Sequence, residues 1–208
     1  MDDRLWFHGT EAEWLGLANT KYWRRVQGSH MAVERELDQL DPATVQALAP
    51  AQFYQWLHDK YFYWKFTAAN RLATTRRHLV KYVQDDPGFS QLEAIHRRLF
   101  FMSHDDAEAA LAVATSIRGL GPAGGSGLLA VLFPADFGTV DVFVVEALRG
   151  VKSLPEHDLL MRMGSQLTLR DAALLVDILR RQANDLNAAF GSQYWTPRRV
   201  DMALWGDR

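Results

Sequence analysis

Cysteine is absent from the 208 residues of this chain. Its absence excludes disulfides, thiol nucleophiles, Cys-ligated zinc and iron–sulfur clusters. Long apolar runs are lacking too, since none approaches the ~20 residues that span a bilayer. The first five residues are acidic and lack the basic head and apolar stretch of a signal peptide. We therefore expect a soluble, cytoplasmic protein with no membrane partner.

Net charge is also small, −2, with 23% charged residues, which is ordinary for a globular protein. The charges are nevertheless segregated along the chain. Residues 60–81 contain six Lys or Arg side chains and no Asp or Glu. A solvated basic helix face is the commoner explanation of such a run, but the segment is also suited to attract phosphate groups.

Apolar side chains recur at spacings of three and four along most of the sequence, which predicts an all-α fold. The length is that of a single domain over residues 1–208, with residues 1–50 as an alternative N-terminal helical extension. Asp41, Asp141 and Thr196 are predicted helix caps, and Ser103 or Asp105 caps a helix over 105–117. The helices are predicted over residues 11–27, 28–40, 51–83 (interrupted near 68–71), 89–101, 105–117, 127–133, 142–148 and 168–189.

Aromatic side chains concentrate in residues 53–66 and repeat there at helical spacing, which favours a buried stripe over a binding surface. Trp195 and Trp205 are interpreted in the same way. The seven histidines show neither an i, i+4 pair nor a three-ligand set, so we expect no metal site. No cofactor is expected either.

The most informative stretch is residues 117–141. It begins with Ile117-Arg-Gly-Leu-Gly-Pro-Ala-Gly-Gly, in which two glycines two apart permit a tight turn before a helix. Orphan amides at that helix start, on Gly121, Ala123 and Gly124, would form an anion site together with the helix dipole. Residues 133–141 then read Phe-Pro-Ala-Asp-Phe-Gly-Thr-Val-Asp and end at Asp141, twenty residues after Gly121.

This stretch resembles the helix–hairpin–helix/Gly-Pro-Asp superfamily of DNA glycosylases, in particular its 8-oxoguanine-glycosylase-like members. The resemblance implies a two-lobed helical fold with a helix–hairpin–helix over residues 105–133, acting as a monomer. It implies that Gly119, Gly121, Ala123 and Gly124 bind a phosphate of double-stranded DNA carrying a damaged or modified base. Asp141 would then stabilise the cationic sugar, or activate water, as the base departs. Further expected contacts to DNA or base are Trp195, Lys65, Arg71, Arg76 and Arg77.

Members of that superfamily that also cut the DNA backbone carry a lysine two residues after the second hairpin glycine, where this chain has Ala123. Strand cleavage is therefore not expected unless another lysine substitutes, and Lys65 and Lys152 are the candidates. The sequence accordingly predicts a monofunctional N-glycosylase that removes the base alone.

Two other function classes stay open. The chain could be a DNA-binding module that has the fold without the reaction, with Asp141 only a helix cap; Ala123 and the modest net charge favour this alternative. It could also be a helical interaction protein whose aromatic residues 53–66 bind another chain.

Overall fold

The computed structural model describes residues 1–85 and 87–208. These residues form helices and loops with no strand among them, so the predicted all-α class is confirmed. Two π-helical segments span Leu17–Lys21 and Leu57–Tyr61, and a 3₁₀ turn spans Gly28–His30. The α-helices are α1 (Asp3–His8), α2 (Glu11–Gly16), α3 (Tyr22–Arg25), α4 (Met31–Asp38), α5 (Pro42–Gln46), α6 (Pro50–Trp56), α7 (Phe62–Lys65), α8 (Ala69–Gln84), α9 (Gly88–Phe101), α10 (Ala107–Thr115), α11 (Pro122–Leu132), α12 (Val142–Arg149), α13 (His157–Arg162), α14 (Leu169–Phe190) and α15 (Pro197–Gly206).

Capping side chains explain several of these boundaries. Asp41 caps α5 and Thr196 caps α15, each followed by a proline at the first helical position, as predicted. Thr168 and Asp171 form a capping box at the start of α14, and Gly191 ends that helix in the left-handed conformation, φ 61°.

The start of α10 differs from the prediction. Asp106, rather than Ser103 or Asp105, accepts the amide of Ala109, at 2.9 Å, and the helix spans Ala107–Thr115 instead of 105–117. The short helices α1 and α13 were not predicted. The predicted end of the preceding helical stretch at residues 86–88 includes Asp86, which lies outside the described residues; α8 itself ends at Gln84.

The longest helix, α14, packs against α10, α11 and α15 in the centre of the molecule. The π-helical segment Leu17–Lys21 also packs against α15. Trp14 lies between Trp6 and Trp195, with ring centroids 5.9 and 5.8 Å apart in edge-to-face geometry. The first helices therefore bury their apolar side chains in the same core as the C-terminal helices.

The aromatic residues 53–66 line this core, as the helical spacing predicts. Phe53, Tyr61 and Phe62 are fully buried, and Trp64 and Phe66 nearly so. The interaction-protein alternative loses its main support, because most of these rings are inside the protein and are not available to another chain.

Candidate functional site

The connection between α10 and α11 is a tight turn that requires glycine at one position. Gly119 has φ 96°, in the region that disfavours residues with a Cβ. A Cβ there would lie 2.8 Å from the backbone oxygen of Thr75 on α8. Two constraints therefore fix this glycine: the left-handed backbone and the close approach of α8.

The start of α11 leaves amides without acceptors. Gly121 occupies the N-cap position with no side-chain cap, and the N–H groups of Gly121, Ala123 and Gly124 find no acceptor in the described part of the chain. The first bonded amide is that of Gly125, which donates to the Gly121 oxygen at 2.7 Å. Gly121 is exposed and Ala123 half-buried, but Gly124 is buried, so it does not point outward as expected. Two of the expected donors, Gly121 and Ala123, therefore belong to residues that are at least partly exposed to solvent.

Two further glycines of α11 serve close packing. A Cβ on Gly125 would meet Thr115 of α10 at 2.9 Å. A Cβ on Gly127 would lie 2.9 Å from the Tyr61 hydroxyl and 3.1 Å from Cδ of Lys65. The glycine-rich face therefore allows α10 on one side, and the segment containing Tyr61 and Lys65 on the other, to approach the α11 backbone.

Asp141 caps α12, as predicted. Its Oδ1 accepts the amides of Phe143 and Val144, at 3.0 and 3.3 Å. Its Oδ2 takes no part in this cap and lies 3.9 Å from Nζ of Lys65. The side chain keeps 18% of its surface exposed, so part of it reaches the protein surface.

Lys65, at the end of α7, lies farther inside the protein than a surface DNA contact would. Only 12% of its side chain is exposed. Burial lowers the pKa of its ammonium group below the ordinary value, and the carboxylates of Asp141 and Asp201 oppose this only in part. The structure thus brings together two predicted site residues, Lys65 and Asp141, which are far apart in sequence.

A buried ionic network that the sequence did not reveal lies behind this pair. Arg198 of α15 donates to both carboxylate oxygens of Asp201, at 3.0 and 3.1 Å, and to Glu34 of α4, at 2.8 Å. Trp64 and Tyr22 also donate to Glu34. Burial raises the pKa of Asp201 to about 6, although its bonds to Arg198 act in the opposite direction. One signal was present in the sequence: Arg198 and Asp201 share the apolar face of α15.

The same network holds the loop that leads to Asp141. The Thr139 amide donates to Asp201 at 2.6 Å. The Ser126 hydroxyl, from α11, accepts the amide of Val140 at 3.0 Å and lies 3.1 Å from the Val140 oxygen. The two residues before Asp141 are therefore anchored to α15 and α11, which fixes where its carboxylate lies.

An aromatic surface adjoins Asp141. Phe143, whose amide Asp141 accepts, packs edge-to-face on Trp205 with ring centroids 5.4 Å apart. The guanidinium of Arg208 lies 3.8 Å from the centroid of Phe143 and 4.7 Å from that of Trp205. A flat cation thus already stacks on these two half-exposed rings.

The other predicted contacts on the basic segment differ in accessibility. Arg71 and Arg77 are exposed on α8, and Arg71 lies 5.5 Å from the ring of Phe66, which in turn adjoins Gly124. Arg76 donates twice to the backbone oxygen of His58, at 2.7 and 3.0 Å, so a structural bond uses its guanidinium. Arg71 is therefore linked to the start of α11 through Phe66 and Gly124.

Trp195 lies elsewhere. This residue is 2% exposed and lines a cavity of about 330 Å³ together with His104, Asp136 and Arg180. A second cavity, of about 380 Å³, is lined by residues of α9 and of the turn before α11, including Arg98 and Arg118. Neither of these two cavities is lined by Asp141.

No group of His, Asp and Glu suited to hold a metal ion occurs in residues 1–85 and 87–208. Within the same residues, no helix is both long and apolar enough to cross a lipid bilayer.

Comparisons of the chain with protein-family models, with curated proteins and with solved structures found no match. The likeness to DNA glycosylases therefore stays a prediction carried by residues 117–141.

Proposed function

We propose that this chain binds double-stranded DNA and removes a modified base by cleaving its N-glycosidic bond. The observation that carries the proposal is the carboxylate of Asp141. One oxygen is fixed at the start of α12, and the other lies 3.9 Å from the largely buried amine of Lys65 on a side chain that is 18% exposed. A carboxylate held in this way stabilises the positive charge that develops on the sugar as the base departs.

Three neighbouring features support a DNA substrate. The free amides at the start of α11 suit a backbone phosphate. Arg71 extends the positive surface next to them through its contact with Phe66. The rings of Phe143 and Trp205 would stack on a base turned out of the duplex, in the place where the flat guanidinium of Arg208 now lies.

The test is base release from a panel of modified duplexes by the wild-type protein and by Asp141→Asn. Asparagine is as good an N-cap as aspartate, so this variant keeps the helix start while removing the charge. We expect it to lose about 100- to 1,000-fold in rate, the usual cost of a lost electrostatic contact to a transition state. Glu146→Gln is the matched control, because it removes an exposed carboxylate from the same helix. Equal rates for wild type and Asp141→Asn would refute the role of Asp141.

One observation favours a second function, DNA binding without catalysis: neither described cavity lies at Asp141. This alternative predicts DNA binding that weakens with salt, survives Asp141→Asn, and is accompanied by no base release from any duplex. Arg71→Ala tests the proposed footprint under both functions, since loss of one phosphate contact lowers the slope of log affinity against log salt by about 1.

A further inference from the structure

The cavity of about 330 Å³ that Trp195 lines contains a histidine paired with a carboxylate. Nδ1 of His104, which precedes α10, lies 2.7 Å from Oδ2 of Asp136, in the loop that follows α11. An ionised carboxylate only accepts hydrogen bonds, so Nδ1 carries the proton of the neutral imidazole. The Nε2 atom, which has no partner in residues 1–85 and 87–208, is then the basic nitrogen of the ring.

Packing holds this imidazole in place. The ring contacts those of Phe133 and Phe137, with centroids 4.2 and 5.6 Å away. The guanidinium of Arg180, on α14, donates to the backbone oxygens of His104 and Asp136, at 2.6 and 2.7 Å. Both members of the pair are therefore fixed to α14, while 26% of the His104 side chain stays exposed.

The charges on the cavity wall disfavour an anionic ligand. Arg180 is the one Lys or Arg side chain among the described lining residues, and its guanidinium also lies 3.3 Å from the backbone oxygen of Asp105 and from Oδ1 of Asp177. Its positive charge is thus already used, whereas Asp105 and Asp136 both line the cavity with their negative charges. The volume is near the lower end of the range for small-molecule sites, about 300–1,000 Å³, so a ligand would be small.

Two hydrogen-bond donors of the same wall have no acceptor in the described part of the chain. The indole Nε1 of Trp195 is buried without a partner. The side-chain amide of Asn184, an exposed residue of α14, makes no bond either. Because an unpaired buried N–H is costly, a ligand oxygen that accepts it is bound favourably. Donors of this kind also stabilise the oxyanion that forms during acyl transfer.

We propose that this cavity is a second active site, in which Nε2 of His104 takes a proton from water as the water attacks a small, uncharged carboxylic ester. Asp136 positions the imidazole and stabilises its protonated form, and the N–H groups of Trp195 and Asn184 stabilise the oxyanion. The inference does not depend on the proposed reaction with DNA, because Asp141 is not among the residues that line this cavity.

The reaction balances with water as the only co-reactant. The water oxygen forms a bond to the acyl carbon while one of its protons moves to Nε2 of His104. The bond between the acyl carbon and the alcohol oxygen then breaks, and that oxygen takes the proton from His104. The products are a carboxylic acid and an alcohol, and the imidazole returns to its neutral form.

The experiment measures the hydrolysis of p-nitrophenyl acetate and p-nitrophenyl butyrate over a range of concentrations. We expect saturable turnover by the wild type, and a loss of about 100-fold or more in kcat/KM for His104→Gln, which is within the usual contribution of a general base. His58→Gln is the matched control and should keep wild-type kinetics. Nδ1 of His58 also lies 2.7 Å from a carboxylate oxygen, that of Asp59, but neither residue lines a described cavity.

Two further variants test the inference even if His104→Gln is unstable. Asp136→Asn and Trp195→Phe should each lower kcat by about 10-fold or more with little change in KM, because both lost contacts are made to charges that develop during the reaction. The wild-type rate should fall as the pH is lowered, since a protonated imidazole cannot accept a proton. Melting temperatures show whether each variant keeps its fold.

The anion p-nitrophenyl phosphate should not be hydrolysed, and its turnover at the rate of the esters would contradict the charge argument. Three results would overturn the whole inference: no turnover of either ester, a rate that rises linearly with ester concentration without saturation, or equal kinetics of wild type and a folded His104→Gln.

Discussion

Replacing Arg198 by methionine would remove the only cation bonded to the buried carboxylates of Glu34 and Asp201 within the described residues. Arg198, Glu34 and Asp201 have side chains 9%, 8% and 1% exposed, so water cannot replace the lost bonds. Removing one partner of a buried ion pair costs about 3–5 kcal/mol, because it leaves an uncompensated charge. For a chain of this size each kcal/mol lowers the melting temperature by about 2–4 °C. We therefore expect Arg198→Met to melt about 6–20 °C below the wild type.

Urea and thermal unfolding at pH 7 measure this loss, and the neighbouring Arg199→Met is the control. Arg199 lies on the same helix and also stacks on an aromatic ring, Tyr194 at 4.1 Å, but it contacts no buried carboxylate. Its replacement should cost no more than about 1 kcal/mol, as partly exposed interactions do. If both variants lose the same stability, the buried network does not hold the fold as described.

The pH dependence of Arg198→Met is a second check on the same reasoning. Burial already raises the pKa of Asp201 to about 6, and loss of the cation should raise it further. A carboxyl whose native pKa exceeds its unfolded value stabilises the protein below the unfolded pKa and loses that contribution as pH rises through the native one. The stability deficit of the variant should therefore be small near pH 4 and grow above pH 6.

Three further outcomes are expected. Gly127→Ala and Gly125→Ala should each destabilise by about 0–2 kcal/mol in urea unfolding, since overpacking outweighs the gain in helix propensity, but only Gly127→Ala, whose added Cβ contacts Lys65 beside Asp141, should also lower the rate of base release. Asp141→Ala should unfold about 1 kcal/mol more easily than Asp141→Asn, because alanine cannot cap α12. Burial lowers the pKa of His96, so the unfolded chain takes up a proton more readily; stability should fall as pH drops below about 6.5, and His96→Gln should flatten that part of the pH–stability curve.

Local chemistry made much of the fold predictable. Asp141, Thr196 and Asp41 cap helices because each needs only the amides that follow it within three residues. The predicted cap of α10 was wrong because Ser103, Asp105 and Asp106 all satisfy this local requirement, and the sequence alone does not rank them. The short helices α1 and α13 carry too few residues for a periodic pattern.

The site was predictable only in its pieces. Asp141 and Lys65 were each singled out, but their proximity is produced by the packing of α7 against the glycine-lined side of α11. The Arg198 network joins residues 164 positions apart, Arg198 and Glu34, and no local pattern connects them. Trp195 illustrates the converse, because an aromatic residue near the C-terminus suggested a base pocket while its ring packs on Trp14 in the core.

The glycines of residues 119–127 illustrate why a sequence motif and a site are different things. Each glycine inside a helix costs about 1 kcal/mol relative to alanine, so a glycine-rich start of α11 needs a compensating gain. Gly119 is required by the turn and Gly121 leaves an amide free, which fits a phosphate contact. Gly125 and Gly127 gain by packing, against α10 and against Lys65. The stretch that reads as one phosphate-binding turn is therefore divided between free amides at Gly121 and the close approach of Lys65 toward Asp141 at Gly127. Under the proposed function, substitutions at Gly121 and Gly127 should separate DNA affinity from reaction at that carboxylate.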